Sequence, residues 1–180
     1  MSGLARVLLQ RSFSVSGSDQ KPTNSLLHLS KKGIQIFKVQ SSSNITSLYQ
    51  TKKLDLLIIS SSAISPNNPE LRAAIETKLN IVHRSELLAY LLKEKESILV
   101  AGSHGKTTTS TIISTLLGLA QQDPSIAIGG IVPYFQTNGH SGQGNIIVAE
   151  ADESDGSLVN LYGSIGLITN LELDHIDHYK

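Results

Sequence analysis

Lys106 and Thr107 close the stretch Gly102-Ser103-His104-Gly105, directly after the apolar run Ile98-Leu99-Val100-Ala101 and directly before a helical pattern. A buried strand, a glycine turn and a helix start, in that order, make a phosphate cradle. Glycines let main-chain N–H groups approach phosphate oxygens, and the helix N-terminus adds its partial positive charge. Lys106 has the reach for the β- and γ-phosphates, and the Thr107 hydroxyl suits Mg2+. The expected ligand is therefore Mg-ATP or a close relative. The general phosphate-loop pattern asks for a glycine at the position of Val100, so this loop is a shorter version. The plainer alternative is a structural glycine turn with an incidental lysine, and the strand-turn-helix order weighs against it.

Two further strand ends carry chemistry. Ile146-Ile147-Val148-Ala149 runs into Glu150-Ala151-Asp152-Glu153-Ser154-Asp155, four carboxylates in six residues. Such a concentration of like charge calls for a counter-ion, and a Mg2+ ion carrying nucleotide phosphates takes one or two carboxylates while keeping its waters. A hydrated acidic loop is the alternative, and Lys106 tips the balance towards the metal. The next strand ends in Thr169-Asn170-Leu171-Glu172-Leu173-Asp174-His175-Ile176-Asp177-His178. A lone histidine is more often a structural hydrogen-bonder, but His175 between Asp174 and Asp177 points to a metal or phosphate role. Leu171 after Asn170 breaks the Asn-Lys-x-Asp guanine reader and argues against a GTP switch.

These residues need a sheet that gathers its strand ends. The second half of the chain supplies it: a helix from Lys106 to about Ala120 with Ile112, Ile113, Leu116, Leu117 and Ala120 facing inward, then strands at Ile126–Ile128, Asn145–Ala149 and Ile165–Thr169, with a glycine-rich segment from Gly129 to Gly144. The first half alternates too. A helix near Ser25–Lys32 stops at Gly33 before a strand Ile34–Val39, and Leu54–Ser60 is a continuous apolar run. Ser61-Ser62-Ala63 lies at that run's carboxyl end, where open α/β sheets bind ligands. A helix Pro69–Lys78, a short strand Ile81-Val82 and a helix Glu86–Leu92 follow. Lys93-Glu94-Lys95-Glu96 reads either as a linker or as a solvated helix end.

Met1 to Ser18 carries Arg6, Arg11 and several serines with no acid before Asp19, a superficial match to an organelle transit peptide. Leu4, Val7 and Leu8 on one helical face, the alternation of Ser12–Ser16, and a carboxylate just past it fit better the second half of a dinucleotide-fold βαβ unit. On that reading the first strand and its glycine turn lie upstream of Met1, and the chain begins inside a domain.

The 180 residues are 39% hydrophobic, enough to bury a core in one domain or two small ones. Fifteen basic and fifteen acidic residues without a basic run lack the footprint of a nucleic-acid binder. With no cysteine, disulfides and thiolate metal sites are excluded, and no apolar run approaches the ~20 residues of a membrane span. The expectation is a soluble cytoplasmic protein without membrane insertion.

The short phosphate loop, Met1-Ser2-Gly3-Leu4-Ala5, Val15-Ser16-Gly17-Ser18-Asp19, Ser61-Ser62-Ala63-Ile64, Asn68-Pro69-Glu70-Leu71, the acidic hexad and Thr169-Asn170-Leu171-Glu172 with Asp174-His175 together resemble the Mur ligase family, above all its cyanobacterial members. The resemblance covers essentially the whole chain. It implies an α/β fold: a Rossmann-like N-terminal domain lacking its first strand, residues 1–95, that binds a UDP substrate, followed by the start of a phosphate-loop ATPase domain with a mostly parallel sheet, residues 96–180. It also implies ATP and Mg2+ as cofactors. Within the family the nearest branch joins L-alanine to the lactyl carboxylate of UDP-N-acetylmuramate through an acyl phosphate, and the alternative branch reattaches a recycled tripeptide.

By the same resemblance Lys106, Glu150 and His175 are catalytic, with Thr107, Glu150 and His175 serving the metals and Lys106 the β/γ-phosphates. Gly102, Ser103, His104, Gly105, Lys106, Thr107 and Thr108 bind the nucleotide. Ser18, Asp19, Ser61, Ser62 and Ala63 line the UDP region. Asp152 and Glu153 orient metal-bound water or the incoming amine, and Asn138 to His140 either face the sugar acid or form a plain loop. The family's first strand and its third domain have no counterpart in these residues, so the polypeptide alone is expected to be catalytically weak or dead. Readings outside the family are a small-molecule phosphate-loop kinase or ATPase and a non-catalytic nucleotide-binding module.

Overall fold

The computed structural model describes residues 1–21, 23–52, 56–152 and 156–172. In chain order the elements are α1 (Ser2–Gln10), β1 (Ser16–Ser18), α2 (Asn24–Lys31), β2 (Gln35–Phe37), α3 (Ser42–Lys52), β3 (Leu57–Ser60), α4 (Pro69–Glu76) and β4 (Asn80–His83). They continue with α5 (Arg84–Lys93), β5 (Glu96–Ala101), α6 (Lys106–Leu119), β6 (Ser125–Val132), β7 (Thr137–His140), β8 (Ile146–Glu150), a 3-10 turn at Ser157–Asn160 and β9 (Ile165–Ile168). Among the described residues no helix is long and apolar enough to cross a membrane.

The chain divides into two compact units, one of Ser14–Leu87 and one that joins Met1–Phe13 to the residues from Leu88 onward. That division differs from the sequence boundary at residues 95 and 96. Helix α1 packs on β6 and β7, burying Leu4 and Val7, and so belongs with the second half of the chain. Gly3 and Gly139 make this possible: a Cβ at Gly139 would lie 2.1 Å from the Gly3 carbonyl oxygen.

In the Ser14–Leu87 unit the strands pair in parallel as β1 with β2 and β3 with β4, two separate two-stranded sheets among the described residues. Asn68 caps α4, its Oδ1 accepting from the N–H groups of Glu70 (2.9 Å) and Leu71 (3.2 Å), and Pro69 opens the first turn. Helix α3 escapes an apolar-periodicity reading because it is rich in Ser and Thr. Its Ile45 is buried against Ala73 and Ala74, while Thr46 and Thr51 bond back to Ser42 O and Ser47 O.

The other unit is built on a sheet ordered β7-β6-β8-β5-β9, parallel except for β7. Ile147, Val148 and Ala149 of β8 are fully buried, the continuous apolar pattern of a strand covered on both faces. Ile126, Ile128, Val132 and Val148 form the core, with Ile113 and Leu117 of α6 packed on it. The glycine-rich segment 129–144 is not a loop throughout: it holds the end of β6 and all of antiparallel β7. The inward face of α6 also differs from the expectation. Ser110, Ser114 and Gly118 are buried, whereas Ile112 and Leu116 are more than half exposed and Ala120 is exposed. Small residues let the helix lie close: a Cβ at Gly118 would sit 2.4 Å from the Tyr134 ring.

Candidate functional site

Strand β5 lies between β8 and β9, with Val100 opposite Glu150 and Ala101 opposite Ile168. All three strands run parallel, so their carboxyl ends meet at one edge of the sheet, the place where open α/β sheets bind ligands. The glycine loop of residues 102–105 leaves β5 at this edge. Gly102 and Gly105 have φ of +127° and +81°, conformations that a side chain would strain. Gly102 is constrained a second time, because a Cβ there would lie 2.2 Å from Thr169 Oγ1. Gly105 is the N-cap of α6 and offers no side chain to the first turn, so no side-chain cap competes for that end of the helix. The Lys106 ammonium donates to Gly102 O (2.6 Å) and Ser103 O (3.3 Å), which keeps it at the mouth of the loop.

Glu150 lies beside this helix start. The Thr107 hydroxyl and the Gly129 N–H donate to its carboxylate, yet its Oε1 is buried and has no hydrogen-bond partner among the described residues. Burial pushes the Glu150 carboxyl above the usual carboxylate range, against the lowering effects of Thr107, Gly129 and Lys106, and Asp152 adds to the rise. A buried carboxylate oxygen without a donor fits a hard cation. Among the described residues no group of three or more His, Asp or Glu side chains gathers as a ligand set. Glu150 and Thr107 therefore suit an ion such as Mg2+, which takes few protein ligands and completes its shell with phosphate and water. His175 lies outside the described residues, as do Glu153, Ser154 and Asp155.

Two glycines complete this corner, and the sequence reading placed them in a loop. A Cβ at Gly129 would lie 2.9 Å from Glu150 Oε2, and one at Gly130 would lie 2.7 Å from Thr107 Cγ2. Their signal in the sequence was a glycine pair following the apolar run Ile126–Ile128. His104 is held differently from its neighbours. Its N–H donates to Asn170 Oδ1 (2.9 Å), and its exposed ring lies 3.4 Å from Glu172 Oε2.

The residues expected at the UDP region lie in the Ser14–Leu87 unit. Ser18 donates to Glu70 Oε2, and Asp19 Oδ1 accepts from Lys21 N (3.0 Å). Ser62 N donates to His83 Nε2 (3.2 Å), and the turn closes with Ile64 N to Ser61 O (2.9 Å). A hollow lined by Gln20, Lys38, Val39, Gln40 and Pro69 opens past the ends of β1 and β2. Gln40 Oε1 accepts there from Gln20 (3.2 Å) and from the buried Asn68 (2.9 Å). Neither glutamine stood out in the sequence, because a lone amide carries no spacing signal. Asn138 and His140 have structural partners: Asn138 donates to Ser2 Oγ (3.0 Å), and His140 Nε2 lies 2.9 Å from Asp123 Oδ1 with its ring stacked on Phe135.

A mostly parallel sheet with a short glycine loop, a helix start without a side-chain cap and an acidic strand end beside it defines an α/β protein with a candidate phosphate site at its strand ends. The chain belongs to the Mur ligase family: the family described as Mur ligase family, catalytic domain, matches residues 1–96. The UDP-N-acetylmuramate–L-alanine ligase of Prochlorococcus marinus strain SARG is 58% identical over 179 residues, 99% of this chain and 38% of that protein. The ligase of the same name from Synechococcus sp. strain CC9311 is 52% identical over 180 residues and is 37% covered. The chain thus spans under two-fifths of the length of these relatives. Among solved structures, UDP-N-acetylmuramate–alanine ligase MurC from Thermotoga maritima matches with TM-score 0.89 at 30% identity, over 99% of this chain and 40% of that one. The tripeptide ligase MPL from Neisseria meningitides matches with TM-score 0.86 at 24% identity, over all of this chain and 60% of that one, a likeness of fold.

Proposed function

We propose that this chain carries the nucleotide site and the UDP-substrate region of an ATP-dependent ligase that joins L-alanine to UDP-N-acetylmuramate, a cytoplasmic step of peptidoglycan synthesis. The observation that carries the reading is the corner of Lys106, Thr107 and Glu150, with one buried carboxylate oxygen left for a cation, in a chain 58% identical to a ligase of that name. ATP is assigned to the β5–α6 loop, and the UDP moiety to Ser18, Asp19 and Ser61 to Ala63 in the Ser14–Leu87 unit.

The lactyl carboxylate attacks the γ-phosphorus of ATP, ADP leaves, and an acyl phosphate forms. The L-alanine amine then attacks the acyl carbon, loses a proton, and phosphate is expelled as the amide forms. Negative charge accumulates at the phosphoryl group in the first step, so positioning and charge neutralisation dominate. Lys106 exchanges its loop carbonyls for β/γ-phosphate oxygens. Thr107 and Glu150, together with His175 outside the described residues, would hold a magnesium ion. When bound there, the ion would supply charge neutralisation at the phosphates. Glu150 is ionised when the cation binds, so its raised pKa makes metal loading favour higher pH.

The test is phosphate release from Mg-ATP, measured on the gene product carrying this sequence, with UDP-N-acetylmuramate and a panel of amino acids and the recycled tripeptide. L-alanine-dependent release that falls by about 100-fold or more in Lys106→Ala supports the reading. Dependence on the tripeptide moves it to the recycling branch, and release indifferent to both substrates overturns it.

A further inference from the structure

We infer that Asn170, assisted by Thr169, is a positioning residue that holds the phosphate loop in its anion-binding shape; this rests on the nucleotide reading above. The side chain of Asn170 grips the main chain of one loop residue from both sides. Its Oδ1 accepts from His104 N (2.9 Å), and its Nδ2 donates to His104 O (3.0 Å). The pairing fixes the orientation of the amide, because reversing it would set donor against donor and acceptor against acceptor.

Neighbouring contacts extend the grip along the loop. Thr169 Oγ1 donates to His104 O (2.5 Å) and lies 3.2 Å from Ala101 O, and Thr169 N donates to Ala101 O (3.0 Å). Ser103 N donates to Asn170 O (3.3 Å), and Glu172 N donates to Ser103 Oγ (3.1 Å). Residues 169–172, following β9, thus bind main-chain or side-chain atoms of Ala101, Ser103 and His104. Gly102 sits between them with no room for a Cβ on that side.

The consequence is electrostatic as well as geometric. The N–H groups of Ser103 and His104 are both taken up by Asn170, so the donors left for an anion are those of the first turn of α6, and any carbonyl turned towards them repels it. Asn170 Nδ2 and Thr169 Oγ1 both satisfy the His104 carbonyl from the β9 side, which keeps that dipole directed away from the mouth where Lys106 and the α6 N-terminus stand. The loop is then ordered before a nucleotide arrives, so binding does not have to supply that ordering. Asparagine suits the place because it presents a donor and an acceptor at the short reach this contact needs. Aspartate keeps the acceptor but sets an oxygen against the His104 carbonyl and adds a negative charge near the phosphates.

The experiment compares the unsubstituted protein with Asn170→Ala, Asn170→Asp, Thr169→Val and Thr169→Ser, titrating Mg-ATP and, separately, UDP-N-acetylmuramate by calorimetry. Asn170→Ala is expected to weaken Mg-ATP on the order of tenfold, the scale of one lost charge-free hydrogen-bond pair. Asn170→Asp weakens it further, Thr169→Val also weakens it, Thr169→Ser restores it, and the affinity for UDP-N-acetylmuramate stays unchanged throughout. Amide exchange at His104 speeds up in the Asn170 variants. Unchanged Mg-ATP affinity in folded Asn170→Ala or Asn170→Asp, or an equal loss for both ligands, overturns the inference. Failure of the unsubstituted protein to bind Mg-ATP would overturn the nucleotide reading itself.

Discussion

At the amino end of the β5-centred sheet, the Lys95 ammonium donates to Ser125 Oγ (3.0 Å), Gly142 O (2.6 Å) and Gly144 O (2.6 Å), using its full set of donors. At the carboxyl end of the same sheet, Glu150 Oε1 is buried with no partner among the described residues, and the α6 N-terminus carries no side-chain cap. Burial shifts both charged groups away from their ordinary values, Lys95 downward and Glu150 upward, so burial alone does not distinguish them. The distinction is satisfaction. Lys95 ties the loops before β6 and β8 together, and Arg11 of the chain after α1 pairs with Glu94 beside it. Asp123 joins the same end, accepting from Gln143 N (2.6 Å) and from His140 (2.9 Å). A polar cluster that completes its own hydrogen bonds is scaffold, whereas one that leaves a buried oxygen open is shaped for something else.

The comparison makes opposite demands on substitutions at the two ends. Glu150→Gln has the largest expected effect: it removes Mg2+-dependent tightening of ATP and yet stabilises the ligand-free protein. The raised Glu150 pKa means its favourable contribution is fully present below the unfolded carboxyl pKa and is lost as pH rises through the folded value. The glutamine variant therefore melts higher than the unsubstituted protein at neutral pH without metal, and the difference closes in acid. A lower melting temperature at neutral pH would break the comparison.

Lys95→Met is expected to do the reverse. It takes the ammonium donor from the carbonyls of Gly142, which keeps Ser125 Oγ at 3.4 Å, and Gly144, and costs about 1–3 kcal/mol of stability in denaturant unfolding, while Mg-ATP affinity in the folded protein is unchanged. Loss of ATP affinity without loss of stability would show that this end of the sheet also serves the ligand. Asp123→Asn is the smallest effect. The Gln143 N–H, then His140, hold the Asp123 carboxyl below its ordinary range, so its stabilisation is present above the unfolded pKa and is lost as pH falls through the folded one. Because the side chain is nearly half exposed and so partly screened, the variant loses under about 1 kcal/mol at neutral pH and nothing in strong acid. A constant loss at every pH would assign the effect to packing.

Much of the site was legible in the chain because its signals are local. The candidate phosphate loop needs glycines at fixed offsets from Lys106, and the acidic run must follow an apolar strand, so both stand in sequence order. Strands β5, β8 and β9 read as apolar runs with boundaries within a residue or two. What escaped was set by partners far away in sequence. Ile112 and Leu116 match a helical stripe as well as Ile113 and Leu117 do, and only the seating of Ser110, Ser114 and Gly118 on the sheet decides which pair is buried. Lys95, in a charged run that read as linker or solvated helix end, is held by acceptors from residues 125, 142 and 144.

By itself the sequence determined the α/β class, the glycine loop between strand and helix, and the family, since strand-turn-helix order and glycine spacing are properties of neighbouring residues. Tertiary structure decided that α1 belongs with the second half of the chain, because the approach of Gly3 to Gly139 joins residues more than a hundred positions apart. It decided that Gly129 and Gly130 clear space for Glu150 and Thr107, and that Asn170 meets His104. Those are facts of strand order and register, and register brings together side chains that no local pattern connects.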